Sequence, residues 1–200
     1  MVLVARQAPD FTAAAVMSNG KIIKNFNLKT FTQNKMAVVF FWPMDFTFVC
    51  PSELIAFDHR FEEFKSRDVK VVGVSMDSEF VHNAWRKTPV SSGGVGDLNY
   101  PMVADITHEI MKAYGIQHPE YGVALRGSFL IDKKGIVRHQ VVNDLPIGRN
   151  VNEMLRMVDA LQFHEKFGDV CPAQWEKGQK GMDASPDGVA KYLSENSTKL

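Results

Sequence analysis

The hydrophobic positions of this chain change period repeatedly, and each change marks an element. Met36-Ala37-Val38-Val39-Phe40-Phe41-Trp42 is an unbroken apolar run rich in β-branched and aromatic residues, the pattern of a strand covered on both faces, as in a parallel sheet. After Pro51, which suits a first helical position, Leu54, Phe57, Phe61 and Phe64 follow at spacings of three, four and three. That spacing predicts one amphipathic helix over residues 51–65. The apolar run at 69–74 completes a βαβ unit with an expected right-handed crossover. Upstream, residues 11–15 and 22–26 flank Ser18-Asn19-Gly20, a hairpin turn signal. Downstream, Ser78 is placed to cap a helix running to Arg86, with Phe80, Val81, Ala84 and Trp85 on its buried face. Residues 89–97 read as a glycine-rich loop. A short strand at 102–104 and a helix at 107–114 follow. Residues 127–131 and 137–142 flank Lys133-Lys134-Gly135 as an antiparallel hairpin. Asn150 opens a long helix whose Val151, Met154, Leu155, Val158 and Leu161 share a face. Beyond Phe167 the chain is polar and only 189–193 reads as helical, so this tail is expected to dock rather than build its own core. Pattern alone gives the class α/β, with a domain at 1–165 and a tail at 166–200.

The junction between the strand at 36–42 and the helix after it carries Cys50, one of only two cysteines. There the unpaired N–H groups and the positive end of the helix dipole favour a thiolate, which is a nucleophile. Cysteine is also a common small core residue, but this position argues for reactivity. Thr47, three residues earlier, can hydrogen-bond the sulfur or a bound substrate. On the residues alone, Arg126 reads as a surface arginine at a strand start, and Glu53 as a first-turn carboxylate favoured by the dipole.

Composition narrows the field. Two hundred residues, 45% hydrophobic, can bury one substantial core. Lys+Arg and Asp+Glu both number 23, for a formal net charge of zero, so neither a nucleic-acid nor a membrane-surface partner is expected. The start of the chain lacks a secretory pattern and no run reaches transmembrane length, so the expected location is cytoplasmic. In that reducing compartment Cys50 and Cys171 suit a redox couple better than a static bridge. The six histidines show no ligand-like spacing to either cysteine; no metal and no cofactor are expected.

Residues 41–51, with Pro43, Thr47 and Cys50 in a Pro-x-x-x-Thr-x-x-Cys core, resemble the active-site motif of the peroxiredoxins. Further matches follow in order: Ala8-Pro9-Asp10-Phe11, Val74-Ser75-Met76-Asp77, Arg126-Gly127-Ser128-Phe129-Leu130-Ile131-Asp132, and Gly168-Asp169-Val170-Cys171-Pro172-Ala173-Gln174-Trp175. The last is similar to the segment around the resolving cysteine of the typical two-cysteine, alkyl-hydroperoxide-reductase-like subfamily. So many ordered matches, covering residues 6–195, are far more specific than a lone Thr-x-x-Cys.

The resemblance implies a thioredoxin-like fold, a central mixed sheet flanked by helices with an N-terminal β-hairpin and an extended C-terminal tail. It implies a thiol-dependent peroxidase acting on hydrogen peroxide and organic hydroperoxides in antioxidant defence. In that reading Cys50 attacks the peroxide and becomes a sulfenic acid. Arg126, Thr47 and nearby backbone N–H groups stabilise the leaving oxygen, Pro43 shields the sulfur, and Glu53 orients Arg126 and Arg149. Cys171 of the partner subunit then resolves the sulfenic acid as an intersubunit disulfide. The implied partners are a second copy in a homodimer, with assembly into a decameric ring left open, and thioredoxin or a flavoprotein disulfide reductase as electron donor. Gly93-Gly94-Val95-Gly96 and Tyr192-Leu193 resemble elements tied to overoxidation in the family. Leu193 stands where that pattern has an aromatic ring, which implies a looser tail. A redox relay or holdase is the competing function; a disulfide isomerase is disfavoured because Thr47 stands where thioredoxins carry a second thiol.

Overall fold

The apolar run at 36–42 supplies an interior strand of a seven-stranded sheet. The computed structural model describes the chain from Met1 to Leu200 except the side chain of Lys199. Its strands are β1 (Thr12–Val16), β2 (Ile22–Asn27), β3 (Met36–Phe41), β4 (Val69–Ser75), β5 (Met102–Ala104), β6 (Arg126–Ile131) and β7 (Val137–Asn143). They pair in the order β2-β1-β5-β4-β3-β6-β7. The βαβ pairing β3–β4 is parallel, as is β4–β5, whereas β1–β2, β1–β5, β3–β6 and β6–β7 are antiparallel. The sheet is therefore mixed, in the thioredoxin-like arrangement. Gly20 closes the β1–β2 turn with φ +77, a conformation open to glycine at no steric cost.

Every residue of β3 is buried because both sheet faces are covered. Ala37, Val39 and Phe41 join Val72, Val74, Phe129, Met111 and Tyr114 on one side. On the other, Phe40 stacks on Phe57 at 4.0 Å and meets Tyr100 edge-on at 5.5 Å. Tyr100 Oη donates to Leu54 O at 2.7 Å, tying the following helix to this face. Gly73, on β4, leaves room for these rings: a Cβ there would lie 2.8 Å from Trp42 and 3.0 Å from Phe40. Both rings are fully buried and cannot swing away. Gly73→Ala is expected to cost about 1–3 kcal/mol, typical of overpacking, read as a lowered denaturant midpoint; an unchanged midpoint would show that the aromatic layer yields.

Two expectations fail locally. The helix predicted over 51–65 is two helices, α2 (Cys50–His59) and α3 (Phe61–Ser66), after an unforeseen short α1 (Leu28–Thr32). The break has a cause. Arg60 Nη1 donates to Ala56 O at 3.2 Å, the carbonyl an α-helix would offer to Arg60 N–H, and that amide turns instead to Phe57 O at 3.2 Å. The helix also begins one residue earlier than predicted, at Cys50, with Pro51 inside its first turn.

In α4 (Glu79–Lys87), Ser78 caps as expected, accepting from Val81 N. Its buried face, however, is Glu79, His82, Trp85 and Arg86, while Phe80 is exposed. Each buried polar group has a partner: Glu79 binds Lys24, His82 binds Asp45, and Arg86 donates to Leu98 O and Ser18 O. Hydrophobic periodicity cannot see a face buried through ion pairs and hydrogen bonds. Helix α5 (Glu109–Ala113) begins where the Asp105 carboxylate accepts from Ile110 N and Met111 N.

The chain divides into two compact units, Met1–Val151 and Asn152–Leu200. The second holds nearly all of α6 (Val151–Phe167) and α7 (Pro186–Asn196). Within it the tail packs back on α6: Trp175 is buried with its ring 4.9 Å from Phe163, and Val170 and Met182 exchange backbone hydrogen bonds at 2.9 Å. Among the described residues no helix is long and apolar enough to cross a membrane.

Candidate active site

The chain leaves β3 at Trp42, turns through residues 43–49 and enters α2 at Cys50. Asp45 anchors this turn. Its N–H donates to Asp77 at 2.8 Å, its Oδ1 accepts from Trp42 Nε1 at 2.8 Å, and its Oδ2 lies 2.7 Å from His82 Nδ1. His82 Nε2 faces Val103 O at 3.2 Å. Since a carbonyl only accepts, Nε2 carries a proton, and one further proton is held between Nδ1 and Asp45. Burial pushes the Asp45 carboxyl up, against the hydrogen bond and charge of His82. Phe46 follows with φ +54, a left-handed conformation that is strained for a large side chain. Its ring lies 5.7 Å from that of Trp85.

Cys50 is fully buried and its thiol is free. As the first residue of α2 it contributes one of the helix's orphan N–H groups. Thr47 Oγ1 lies 2.9 Å from Cys50 Sγ and 2.8 Å from Met44 O. The hydroxyl has one proton, so it donates to the carbonyl while the sulfur is a thiol and can turn to the sulfur once that is a thiolate.

The β3–β6 register pairs Phe40 with Ser128, which sets Arg126 just past the end of β3, where α2 starts. Arg126 Nη1 lies 3.4 Å from Sγ and donates to Glu53 Oε2 at 2.7 Å, while Nε donates to Leu145 O at 2.7 Å. Its Nη2 has no hydrogen bond among the described residues. Glu53, one turn after Cys50 and so on the same helix face, also receives Arg149 through Nε at 2.8 Å, Nη2 at 2.9 Å and the backbone N–H at 2.8 Å. Arg149 Nη1 is fixed by Gly127 O and Ser128 Oγ, with its guanidinium 5.4 Å from the Phe40 ring. Burial alone would push the Glu53 carboxyl up; the hydrogen bonds and charge of Arg149, with the charge of Arg126, outweigh it and hold the carboxyl below its ordinary value. Two guanidiniums against one carboxylate leave the trio one positive charge in excess beside the sulfur.

Thr47, Arg126 and Pro43 also line a cavity of about 580 Å³. The structure thus brings together Pro43, Thr47, Cys50, Glu53, Arg126 and Arg149. Asp45, His82, Leu145 and Ser128 support the site without having been singled out in the sequence. Among the described residues no three of His, Cys, Asp and Glu converge to hold a metal ion.

Cys171 belongs to the second unit. It is half-buried, with Sγ 3.4 Å from Ala160 O, and burial pushes its thiol up while the charge of Arg156 pulls the other way. In the same unit Tyr192 is half-buried and Leu193 exposed.

A thiol buried where a central strand gives way to a helix, with a guanidinium and a hydroxyl turned to its sulfur, is the layout of a thiol-dependent redox protein on a thioredoxin-like fold. Comparison with known proteins narrows the class. The profile of the AhpC/TSA family matches residues 4–140, and that of the C-terminal domain of 1-Cys peroxiredoxin matches residues 160–195. The chain is 58% identical over 197 residues to alkyl hydroperoxide reductase C of Buchnera aphidicola, covering 98% of this chain and 100% of the relative. It is 55% identical over 199 residues to the Helicobacter pylori protein of the same name, covering 100% of each. Among solved structures, the reduced 2-Cys peroxiredoxin of Plasmodium vivax superposes with a TM-score of 0.93 at 46% identity, covering 97% of this chain and 100% of that one. The chain belongs to the AhpC/TSA family of peroxiredoxins, and is a thiol-dependent peroxidase.

Proposed function

We propose that Cys50 is the peroxidatic nucleophile and that the partner subunit's Cys171 resolves it, in a homodimer recycled by thioredoxin or a flavoprotein disulfide reductase in the cytoplasm. The reading rests above all on one observation: Sγ of a fully buried cysteine lies 2.9 Å from Thr47 Oγ1 and 3.4 Å from Arg126 Nη1, beside a cavity that reaches solvent. The sulfur's electron pair attacks the terminal oxygen of the hydroperoxide. An S–O bond forms, the O–O bond breaks, and the leaving oxygen departs with the electron pair and takes a proton to become water or an alcohol. The charge growing on that oxygen meets the Thr47 hydroxyl, once it turns from Met44 O, and the Arg126 guanidinium, which Glu53 and Leu145 O already fix in place. Arg149 acts at one remove, through Glu53, and Pro43 limits access of water to the sulfenic acid.

Resolution then asks for motion. In this reading residues 1–165 form the peroxidase domain and 166–200 the tail that carries the resolving thiol. A disulfide needs its α-carbons within about 7 Å, and Cys50 starts a helix with its sulfur fully enclosed. The first turn of α2 must therefore open before the bond forms, by local unfolding. The sulfenic acid and the incoming thiol give a disulfide and water; a dithiol donor returns both sulfurs. Dimers can assemble further, into a decameric ring. Treated with one equivalent of hydrogen peroxide, the protein should run as a covalent dimer on a non-reducing gel, and Cys50→Ser and Cys171→Ser should each remain monomeric. A disulfide-linked monomer in the wild type would refute the intersubunit pairing.

A further inference from the structure

The cavity beside Cys50 is far larger than hydrogen peroxide requires, and its chemistry is uneven. Its walls include Thr47 and Arg126, the two groups that reach Cys50 Sγ, and are otherwise mainly apolar, with Phe48, Val123, Leu145, Pro146 and Tyr121. A hydroperoxide whose O–O bond lies against Thr47 and Arg126 can extend the group on its far oxygen into this space. Hydrogen peroxide gains nothing from the walls, whereas each methylene of an alkyl hydroperoxide that is buried there is worth about fourfold in binding.

Tyr121 stands out among these walls because the chain fixes it while leaving it 66% exposed. Gln117 and Ala124 form a bridge, and His118 N–H donates to Val123 O at 2.8 Å, so residues 117–124 make a closed turn leading directly into Arg126. Within the turn, His118 Nδ1 accepts from Glu120 N at 3.1 Å and Tyr121 N at 3.3 Å, and the imidazole stacks on the Tyr121 ring at 4.5 Å with a 17° interplanar angle. Gly122 follows with φ +67. An exposed aromatic ring held from behind offers apolar surface at little further ordering cost.

We propose that Tyr121, held in place by His118, is a specificity-determining residue that selects for hydroperoxides with an extended apolar group, the ring forming one wall of the site for that group. The proposal rests on the peroxidatic role of Cys50 and adds a substrate preference to it. Because the contact is present before and during reaction, it enters the second-order rate constant and cancels when two substrates are compared on one variant only if both use it.

The test is single-turnover oxidation of the full chain, followed by tryptophan fluorescence, with hydrogen peroxide and with ethyl, butyl and hexyl hydroperoxide. In the wild type the rate constant relative to hydrogen peroxide should climb two- to fourfold per buried methylene along the alkyl series, then level off. In Tyr121→Ser the hexyl-to-hydrogen-peroxide ratio should fall about tenfold, the worth of one to two buried methylenes; Tyr121→Phe should keep it, and His118→Ala should lower it partway. A Tyr121→Ser variant that slows all four peroxides in proportion would reduce the residue to a structural role and overturn the proposal, as would a flat series in the wild type. If no peroxide oxidised Cys50 the catalytic reading itself would fall, an outcome distinct from a flat series at measurable rates.

Discussion

Arg126→Ala is expected to slow oxidation of Cys50 by hydrogen peroxide about 100- to 1000-fold, the range found when one fixed donor to a developing oxyanion is removed. The size of the effect follows from the way this guanidinium is held. Nε is committed to Leu145 O and Nη1 to Glu53, so the guanidinium is held beside the sulfur without freedom to wander, and a preorganised donor costs nothing to orient at the moment of reaction. Arg126→Lys restores a charge but not the fork, and should recover only part of the loss. Stopped-flow fluorescence over a range of peroxide concentrations measures the rate constant directly. Arg149 still binds Glu53 in two places without Arg126, so the variant should stay folded. A folded Arg126→Ala protein with wild-type reactivity would remove Arg126 from the mechanism.

Glu53→Gln should produce the larger change in stability, about 3–5 kcal/mol at neutral pH, because it leaves two buried guanidiniums facing one another without their shared carboxylate. The direction of its pH dependence follows from the lowered Glu53 carboxyl. A carboxyl that is more acidic folded than unfolded stabilises the fold fully above its unfolded value, near 4.5. As pH falls below that, the unfolded chain takes up the proton first, and the contribution fades until the folded carboxyl is also protonated. Denaturant midpoints should therefore show a constant gap between wild type and Glu53→Gln above about pH 5, narrowing through the more acidic range. A gap that instead widened on acidification would mean that the ion-pair trio does not hold Glu53 ionised.

How much of the site was legible in the sequence depended on distance along the chain. Thr47, Cys50 and Glu53 lie within two turns of one another, so the strand-to-helix change and the spacing of three are enough to place them together. Arg126 and Arg149 reach Glu53 across sequence separations of 73 and 96 residues; only the family motif selected them from the chain's other arginines. Strands β3 and β4 followed from their apolar runs and the two hairpins from their turn signals, whereas the order in which the strands pair had no local signal. The apolar face of α2 and α3 was legible too, with Leu54, Phe57 and Phe64 buried, but the break between them was not, because Arg60 takes a backbone carbonyl from the helix ladder; nor was the face of α4, where His82 and Arg86 are buried because distant groups satisfy them. Tyr121 carried no local signal, being an aromatic ring in a turn whose only distinction is the cavity it faces.

The arginine pair and its single carboxylate also bear on how the enzyme returns to its starting state. A thiolate at Cys50 makes the enclosed group of charges neutral; a disulfide sulfur carries no charge and leaves one cation uncompensated. In the proposed cycle the closed form would thus be disfavoured while the disulfide persists, water being the better neighbour for the surplus charge. Reduction to a thiolate would restore the negative sulfur and with it an attraction that draws the first turn of α2 shut. The electrons delivered by the reductant would then do two jobs, breaking the S–S bond and acting as the return spring of the cycle.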